Sequence, residues 1–303
     1  MARRGSGEWI YDSISSRSDV ERRGGIKAAY REIGTMNRLS FRELVRSQDL
    51  KIGTVIAEFA TPAMGHLIKS AGCDFAVVDM EHNGWSFETV KTVVRFLHDA
   101  GVVSMVRPPS MDQKDIARAL DVGAQGIQPP KLETAEQAMR IVNWIKYPPQ
   151  GVRGVCCLGP QDDYVSRPVA ERMHEANSKT SFVALIETAT GVENVEQIME
   201  VDGLDAVSIG PFDLSASMGI AGQFEHPKMR AAVDRVMAAA KSHHKSVCRP
   251  VGSSEEAAAS IAAGYNLILY GVDLALYQSA LASGVREVRT AWRGHALVGA
   301  TDG

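Results

Sequence analysis

Cysteine is scarce in this 303-residue chain: there are four, two of them adjacent at Cys156-Cys157. That number and spacing fit neither a disulfide framework nor a zinc ligand set. An excess of charge of either sign is also missing. Lys plus Arg is 33 and Asp plus Glu is 36, a formal net charge of -3, so no nucleic-acid or membrane surface is expected. No apolar run reaches the roughly 18 residues that crossing a bilayer requires. The N-terminal segment carries Arg and Ser but has no apolar h-region, which argues against a secretory signal. Glu8, Asp12, Asp19 and Glu21 do not suit an acid-poor transit peptide. The cytoplasm is the expected compartment. What is present, 45% apolar and 23% charged residues, is a globular composition long enough for one large α/β barrel or two ordinary domains.

From residue 51 onward, short apolar, β-branched runs alternate with longer amphipathic stretches. The runs are Lys51–Glu58, Phe75–Met80, Val102–Arg107, Gly126–Pro129, Phe182–Glu187, Ala206–Gly210, Ser246–Pro250 and Leu267–Tyr270. Helical patterns fall near 62–72, 86–99, 113–122, 134–146, 191–200, 228–243, 254–263 and 273–290. Strands that are apolar almost throughout belong to a parallel sheet buried on both faces. Eight such pairs spell an α/β fold, a (β/α)8 TIM barrel.

Helix-entry signals agree with the alternation. Thr61-Pro62 reads as an N-cap followed by Pro at the first helical position. Ser110 with Gln113, Thr134 with Gln137, Thr190 with Glu193 and Ser253 with Glu256 read as capping boxes. Ser40 with Glu43 opens a helix leading into the first strand. Residues 1–38, with a short helical pattern at 25–33, stand outside the scheme and read as a mobile or subunit-clasping extension, which assigns 39–303 to the barrel domain. The Pro- and Gly-containing stretch 148–181 is long for a connection and reads as an active-site cover or subunit contact.

A barrel carries its chemistry where the strands end. The second run closes on Asp79-Met80-Glu81-His82, the third on Arg107, the fifth on Glu187-Thr188, and the sixth runs into Gly210-Pro211-Phe212-Asp213. Glu187 and Asp213 lie one βα unit apart, so they stand on neighbouring strand ends. Two carboxylates without His or Cys suit a hard divalent cation, Mg²⁺ or Mn²⁺, with positions open to water and substrate; helix capping or pairing with an arginine would also account for them. His82 has the chemistry of a general base, with Asp79 to orient it, or of a plain polar strand end. Arg107 is a fixed cation for an oxyanion, or half of a rim salt bridge to Glu81. Asp121, at a helix end, reads as a capping or surface charge.

These residues lie in blocks that together resemble a known family. The blocks are Ala71-Gly72-Cys73-Asp74-Phe75, Asp79-Met80-Glu81-His82, Val106-Arg107-Pro108, Leu120-Asp121-Val122-Gly123 and Tyr147-Pro148-Pro149-Gln150-Gly151-Val152-Arg153-Gly154. Ile186-Glu187-Thr188 and Ile209-Gly210-Pro211-Phe212-Asp213-Leu214-Ser215 complete them. Between about Asn37 and Arg289 the chain resembles the HpcH/HpaI aldolases, the metal-dependent (class II) pyruvate aldolases that include 4-hydroxy-2-oxoheptanedioate aldolase. The resemblance implies reversible cleavage of a 4-hydroxy-2-oxo acid to pyruvate and an aldehyde. It implies Glu187 and Asp213 as ligands of a divalent cation, Mg²⁺ or Mn²⁺ ahead of Co²⁺, which chelates and polarises the 2-oxo acid. His82 is then the base, supported by Asp79 and Asp121. Arg107 becomes the oxyanion donor, and the backbone around Phe212 and Asp213 the carboxylate seat. It further implies small-molecule partners only and a homo-oligomer, a hexamer or trimer of dimers. A synthase joining the same enolate to another electrophile, and a metal-binding barrel without catalysis, are the alternatives.

The chain departs from the family's pattern at Leu185, where Gln is frequent, at Phe212, where Ala is frequent, and across Val155-Cys156-Cys157-Leu158, where small residues are usual. These departures point to an acceptor aldehyde with an apolar portion.

Overall fold

The structure, a computed structural model, describes residues 40–298, with side chains as far as residue 293. The expected extension 1–38 and the pattern at 25–33 lie outside the described residues. Eight parallel strands close into a barrel in chain order. They are β1 (Lys51–Ile56), β2 (Phe75–Asp79), β3 (Val103–Arg107), β4 (Gly126–Ile127), β5 (Ser181–Ile186), β6 (Ala206–Ile209), β7 (Ser246–Val251) and β8 (Leu267–Val272). All eight expected strands form, each with an end within two residues of its apolar run.

The helices are α1 (Phe41–Arg46), α2 (Met64–Ser70), α3 (Phe87–Asp99), α4 (Gln113–Asp121), α5 (Ala135–Ile145) and α6 (Val169–Lys179). They continue with α7 (Ala189–Glu193), α8 (Val195–Met199), α9 (Pro211–Ser217), α10 (Pro227–Ser242), α11 (Ser254–Ala262) and α12 (Asp273–Val298). The pattern near 191–200 thus resolves into two short helices, α7 and α8.

Two apolar layers hold the barrel. Outward strand residues such as Ala76, Val78, Val106, Ile127, Ile186 and Val207 pack under the helices in one large cluster. Inward residues Phe75, Val77, Met105, Val183, Ala206, Cys248, Leu267 and Leu269 form a second cluster, closed by Phe41 and Val45 of α1. α1 is therefore the plug of the barrel's N-terminal end. A Cβ on Gly126 would meet the Phe41 ring at 2.3 Å, so only glycine lets the plug seat. Arg42 and Arg46 tie α1 to buried Asp205 through Nε–Oδ1 contacts of 3.0 and 2.7 Å.

The expected helix-entry signals are complete capping boxes at two places, Ser40 with Glu43 and Thr134 with Gln137. Ser253 accepts the Glu256 N–H, but the Glu256 carboxylate reaches Gly252 N–H, one residue too early for a box. The other three are corrected. Thr61 instead closes a turn by accepting the Met64 N–H, and Ala63 is the N-cap of α2 without a side-chain bond. The Ser110 hydroxyl receives the Asp112 N–H and donates to Asp115, leaving Asp112 as N-cap of α4. Thr188, not Thr190, caps α7 by accepting the Gly191 N–H.

The long stretch after α5 does not cover the site of its own barrel. It runs from the end of α5 to the start of β5, at the end of the barrel away from the strand C-termini. There Asp163 meets Arg95 near the end of α3 at 3.1 Å, and Arg153 meets Asp121 at the end of α4 at 2.7 Å.

Candidate active site

Alternation along the strands decides which polar residues reach the barrel mouth. On β2, Phe75 and Val77 face inward, so Asp79 does too; on β3, Met105 and Arg107 share that face. Asp79 and Arg107 are direct neighbours in the β2–β3 register. On β5, inward Val183 sets Leu185 and Glu187 on the same side, one residue beyond the strand for Glu187. A Cβ on Gly210, just past β6, would lie 2.7 Å from Glu187 Oε2, so a glycine there is what makes room for the carboxylate.

The centre of the arrangement is a fork. Arg107 donates from Nε to Asp79 Oδ1 and from a terminal nitrogen to Oδ2, both at 2.8 Å. The Glu81 N–H adds a bond of 2.9 Å to Asp79 Oδ1. Burial opposes ionisation of Asp79, but the bonds and charge of Arg107 outweigh it and hold the carboxyl below the usual range. Arg107 is correspondingly raised, its own burial outweighed by Asp79, Glu81 and Glu187.

Glu187 is the strained partner. It is buried, and its Oε1 accepts the Lys131 N–H at 2.8 Å. Burial, with Glu81 and Asp213 nearby, pushes it up to about 7 in spite of the Lys131 N–H and Arg107. Glu81 Oε2 is buried without a hydrogen-bond partner, 3.4 Å from an Arg107 nitrogen and 3.6 Å from His82 Nε2. Two further carboxylates, Glu81 and Asp213, thus lie close enough to act on buried Glu187. Such oxygen-only donors could hold a hard divalent cation, with Glu187 and Asp213 the candidate ligands. Among the described residues no group of three or more His, Cys, Asp or Glu is arranged around one point; water and substrate would fill the other positions.

The remaining candidates divide. His82 stands at the mouth with a side chain 56% exposed, set against Glu81, while Asp79 is taken up by Arg107. Asp213 lies in the first turn of α9, and the N–H groups of Phe212 and Asp213 precede the first helical bond, Leu214 N–H to Gly210 C=O. The Phe212 ring is 72% exposed and meets Phe224 edge-on at 5.1 Å. Asp121 is not brought to His82 within the chain. It ends α4 at the opposite end of the barrel, where Arg153 binds it. Glu81 went unrecognised in the sequence except as a salt-bridge partner, and Lys131 gave no signal there, because a backbone donor carries no residue-type signature.

Among the described residues three lysines, Lys51, Lys146 and Lys245, have the lowered pKa that a Schiff-base nucleophile needs, and none is at the mouth. Lys245, lowered mainly by burial, stands just before β7 and donates to the Leu204 carbonyl. Lys51 and Lys146, each brought to about 8 mainly by burial, donate to the Ser47 carbonyl and to the Asn177 and Thr180 carbonyls near the N-terminal ends of the strands.

The model of the HpcH/HpaI aldolase/citrate lyase family matches residues 56–280. The chain belongs to that family. At this level it is an enzyme of the aldolase and lyase type. It is 32% identical over 242 residues to the 5-keto-4-deoxy-D-glucarate aldolase of Klebsiella pneumoniae, covering 79% of this chain and 93% of the relative. It is 31% identical to the 4-hydroxy-2-oxo-heptane-1,7-dioate aldolase of Salmonella arizonae, covering 78% and 89%. The crystal structure of an HpcH/HpaI aldolase from Desulfitobacterium hafniense superimposes with a TM-score of 0.78 at 30% identity, covering 83% of this chain and 97% of that one. The family match spans the strand ends that carry Asp79, Glu81, His82, Arg107, Glu187 and Asp213.

Proposed function

We propose that this protein is a divalent-metal-dependent aldolase that cleaves a 4-hydroxy-2-oxo acid reversibly to pyruvate and an aldehyde. The observation that carries the reading is the buried Glu187 carboxylate at the end of β5, given room by Gly210 and set with Glu81 beside the Arg107–Asp79 fork inside the barrel mouth. A cation bound by Glu187 and Asp213 would supply Lewis-acid polarisation of the 2-oxo group. Mg²⁺ or Mn²⁺ is proposed ahead of Co²⁺.

The protein's own residues do the rest. Arg107, locked by Asp79, presents a remaining N–H edge where negative charge develops on oxygen, and being held beforehand it needs no reorganisation. His82 takes the methyl proton of pyruvate at Nδ1, since Nε2 faces Glu81 at 3.6 Å. The backbone N–H groups of Phe212 and Asp213 seat the carboxylate. Asp79 thus supports the arginine more directly than the histidine, and Asp121 is assigned no part in proton transfer within one chain. Leu185, 3.5 Å from the Cβ direction of Gly210 and so beside Glu187, supports an acceptor with an apolar portion.

The test is proton–deuterium exchange at the pyruvate methyl group, followed by NMR with Mg²⁺, Mn²⁺ or Co²⁺ and with chelator. Metal-dependent exchange is expected; exchange undiminished by chelator, or a borohydride-trapped lysine adduct, would overturn the reading. Aldehyde turnover then separates an aldolase from a synthase.

A homo-oligomer and the cytoplasm are also proposed. Exposed Tyr277, Leu281, Val288 and Trp292 on α12 support self-association. The four cysteines are free thiols, as a reducing compartment would keep them. No described helix is long and apolar enough to cross a membrane.

A further inference from the structure

Just past strand β4 stands an inward residue to which the proposed chemistry gives no part. Gly126 faces the barrel interior against the Phe41 ring, and Ile127 faces the helix layer. Alternation therefore turns Gln128 inward. Its N–H donates to the Val106 carbonyl at 3.0 Å, which keeps it in the ladder beside Arg107. The Gln128 side chain is 3% exposed, and its Nε2 has no hydrogen-bond partner. A buried amide left unpaired is destabilising, so its presence calls for a partner the folded chain does not provide.

The residues that follow show the same bias toward the site. Pro129 and Pro130 have no N–H and restrict the backbone. Lys131, at φ 54°, directs its N–H onto Glu187 Oε1. One short segment thus aims a backbone donor at Glu187 and a side-chain donor into the interior, just past the strand that lies between those carrying Arg107 and Glu187.

We propose that Gln128 is a substrate-binding residue whose side-chain amide donates a hydrogen bond to an oxygen of the bound 2-oxo acid. The proposal rests on the 2-oxo-acid reading given above and deepens it. Depth decides between the two halves of the substrate. Gln128, Arg107 and Glu187 sit inside the mouth, whereas the side chains of His82 and Phe212 are largely exposed, and an aldehyde would reach the bound 2-oxo acid from their outer side. A neutral donor also suits this place, because it adds a bond to an anionic ligand without neutralising the carboxylates around it.

The experiment uses the full chain with Mn²⁺ and compares wild type, Gln128→Met and Gln128→Asn. Three quantities are read: the pyruvate KM and kcat for methyl exchange, and the unfolding temperature of the chelator-treated protein. Gln128→Met is expected to raise the pyruvate KM at least ten-fold and to raise the unfolding temperature, because the unpaired donor is gone. A purely structural glutamine would give the reverse, a lower unfolding temperature and an unchanged KM. Gln128→Asn keeps the amide but shortens its reach, and a raised KM is expected there too; this variant decides the matter if Gln128→Met does not fold. A pyruvate KM within two-fold of wild type in the folded variants would overturn the role of Gln128 and leave the functional reading standing. A wild-type protein that exchanges no pyruvate protons with Mg²⁺, Mn²⁺ or Co²⁺ would overturn that reading and the role of Gln128 together.

Discussion

Asp79 and Arg107 are neighbours in the β2–β3 register and meet through two hydrogen bonds of 2.8 Å. The pair is largely buried, so each charge depends on the other and the guanidinium has one orientation. Arg107→Lys keeps the charge but loses the planar fork, and Asp79→Asn keeps the shape but loses the anion. Each is expected to lower kcat for pyruvate exchange by about 10²–10³-fold, the range for removing an oxyanion donor. The double variant should fall well short of the product of the two losses, because both break one unit. Fully multiplicative losses in this double-mutant cycle would show that the residues act separately.

Glu187 gives a second test through stability. Burial first, and then its neighbours Glu81 and Asp213, make its charge unfavourable when no cation is present. Glu187→Gln retains an oxygen for the Lys131 N–H and removes that repulsion. In chelator the variant should therefore unfold at or above the wild-type temperature. Adding Mn²⁺ should raise the wild-type midpoint, by about 2.7 kcal/mol of stability at a hundred times the Kd, and leave Glu187→Gln unmoved. An equal Mn²⁺ shift in both proteins would place the cation elsewhere.

The barrel was legible because its strands are buried on both faces, and runs such as Phe75–Asp79 and Ser181–Ile186 have no exposed residue to interrupt the pattern. Rim residues were legible for the same reason: a polar residue that ends such a run is conspicuous. What escaped notice depends on geometry between elements. Asp121 follows an apolar helix face in the sequence, but only the direction of α4 shows that it ends at the far side of the barrel. Ser110 and Thr190 match the capping pattern, yet Asp112 and Thr188 start the helices, because local side-chain bonds compete for the same N–H groups. Glu81 and Gln128 are chemically ordinary residues; each stands out only once a buried atom is seen to lack a hydrogen bond.

The seating of α1 predicts a coupled pair. A Cβ on Gly126 would lie 2.3 Å from Phe41 Cδ1, and the Phe41 ring is fully buried against Phe75 at a centroid distance of 5.8 Å. Phe41→Ala should cost about 3–5 kcal/mol by leaving a cavity at the base of the barrel. Gly126→Ala should cost about 1–3 kcal/mol by overpacking. In the double variant most of the Gly126→Ala cost should vanish, since the new methyl group then occupies vacated space. Urea unfolding of the four proteins gives the coupling, and additive costs would mean that the ring moves aside without penalty.

Lys146 predicts how stability depends on pH. Its Nζ is buried and donates to the Asn177 carbonyl at 2.6 Å and the Thr180 carbonyl at 2.9 Å. Burial, helped by Arg42, Arg46 and Arg153 and opposed by Asp205, brings it from its ordinary 10.5 to about 8. Between those values the unfolded chain still holds a proton that the folded chain has released. Stability contributed through Lys146 therefore rises with pH across this window, and below about pH 8 the full cost of burying the ammonium is felt. The measurement is the unfolding free energy of wild type minus that of Lys146→Met, from pH 7 to 10.5. Groups present in both proteins, such as Lys51 and the Cys248 thiol pushed up to about 12 by burial, cancel in that difference. Wild type should gain on the variant by on the order of 1–3 kcal/mol in total as pH rises. A difference that is flat with pH would mean that the two carbonyl bonds hold the ammonium charged as firmly as water does.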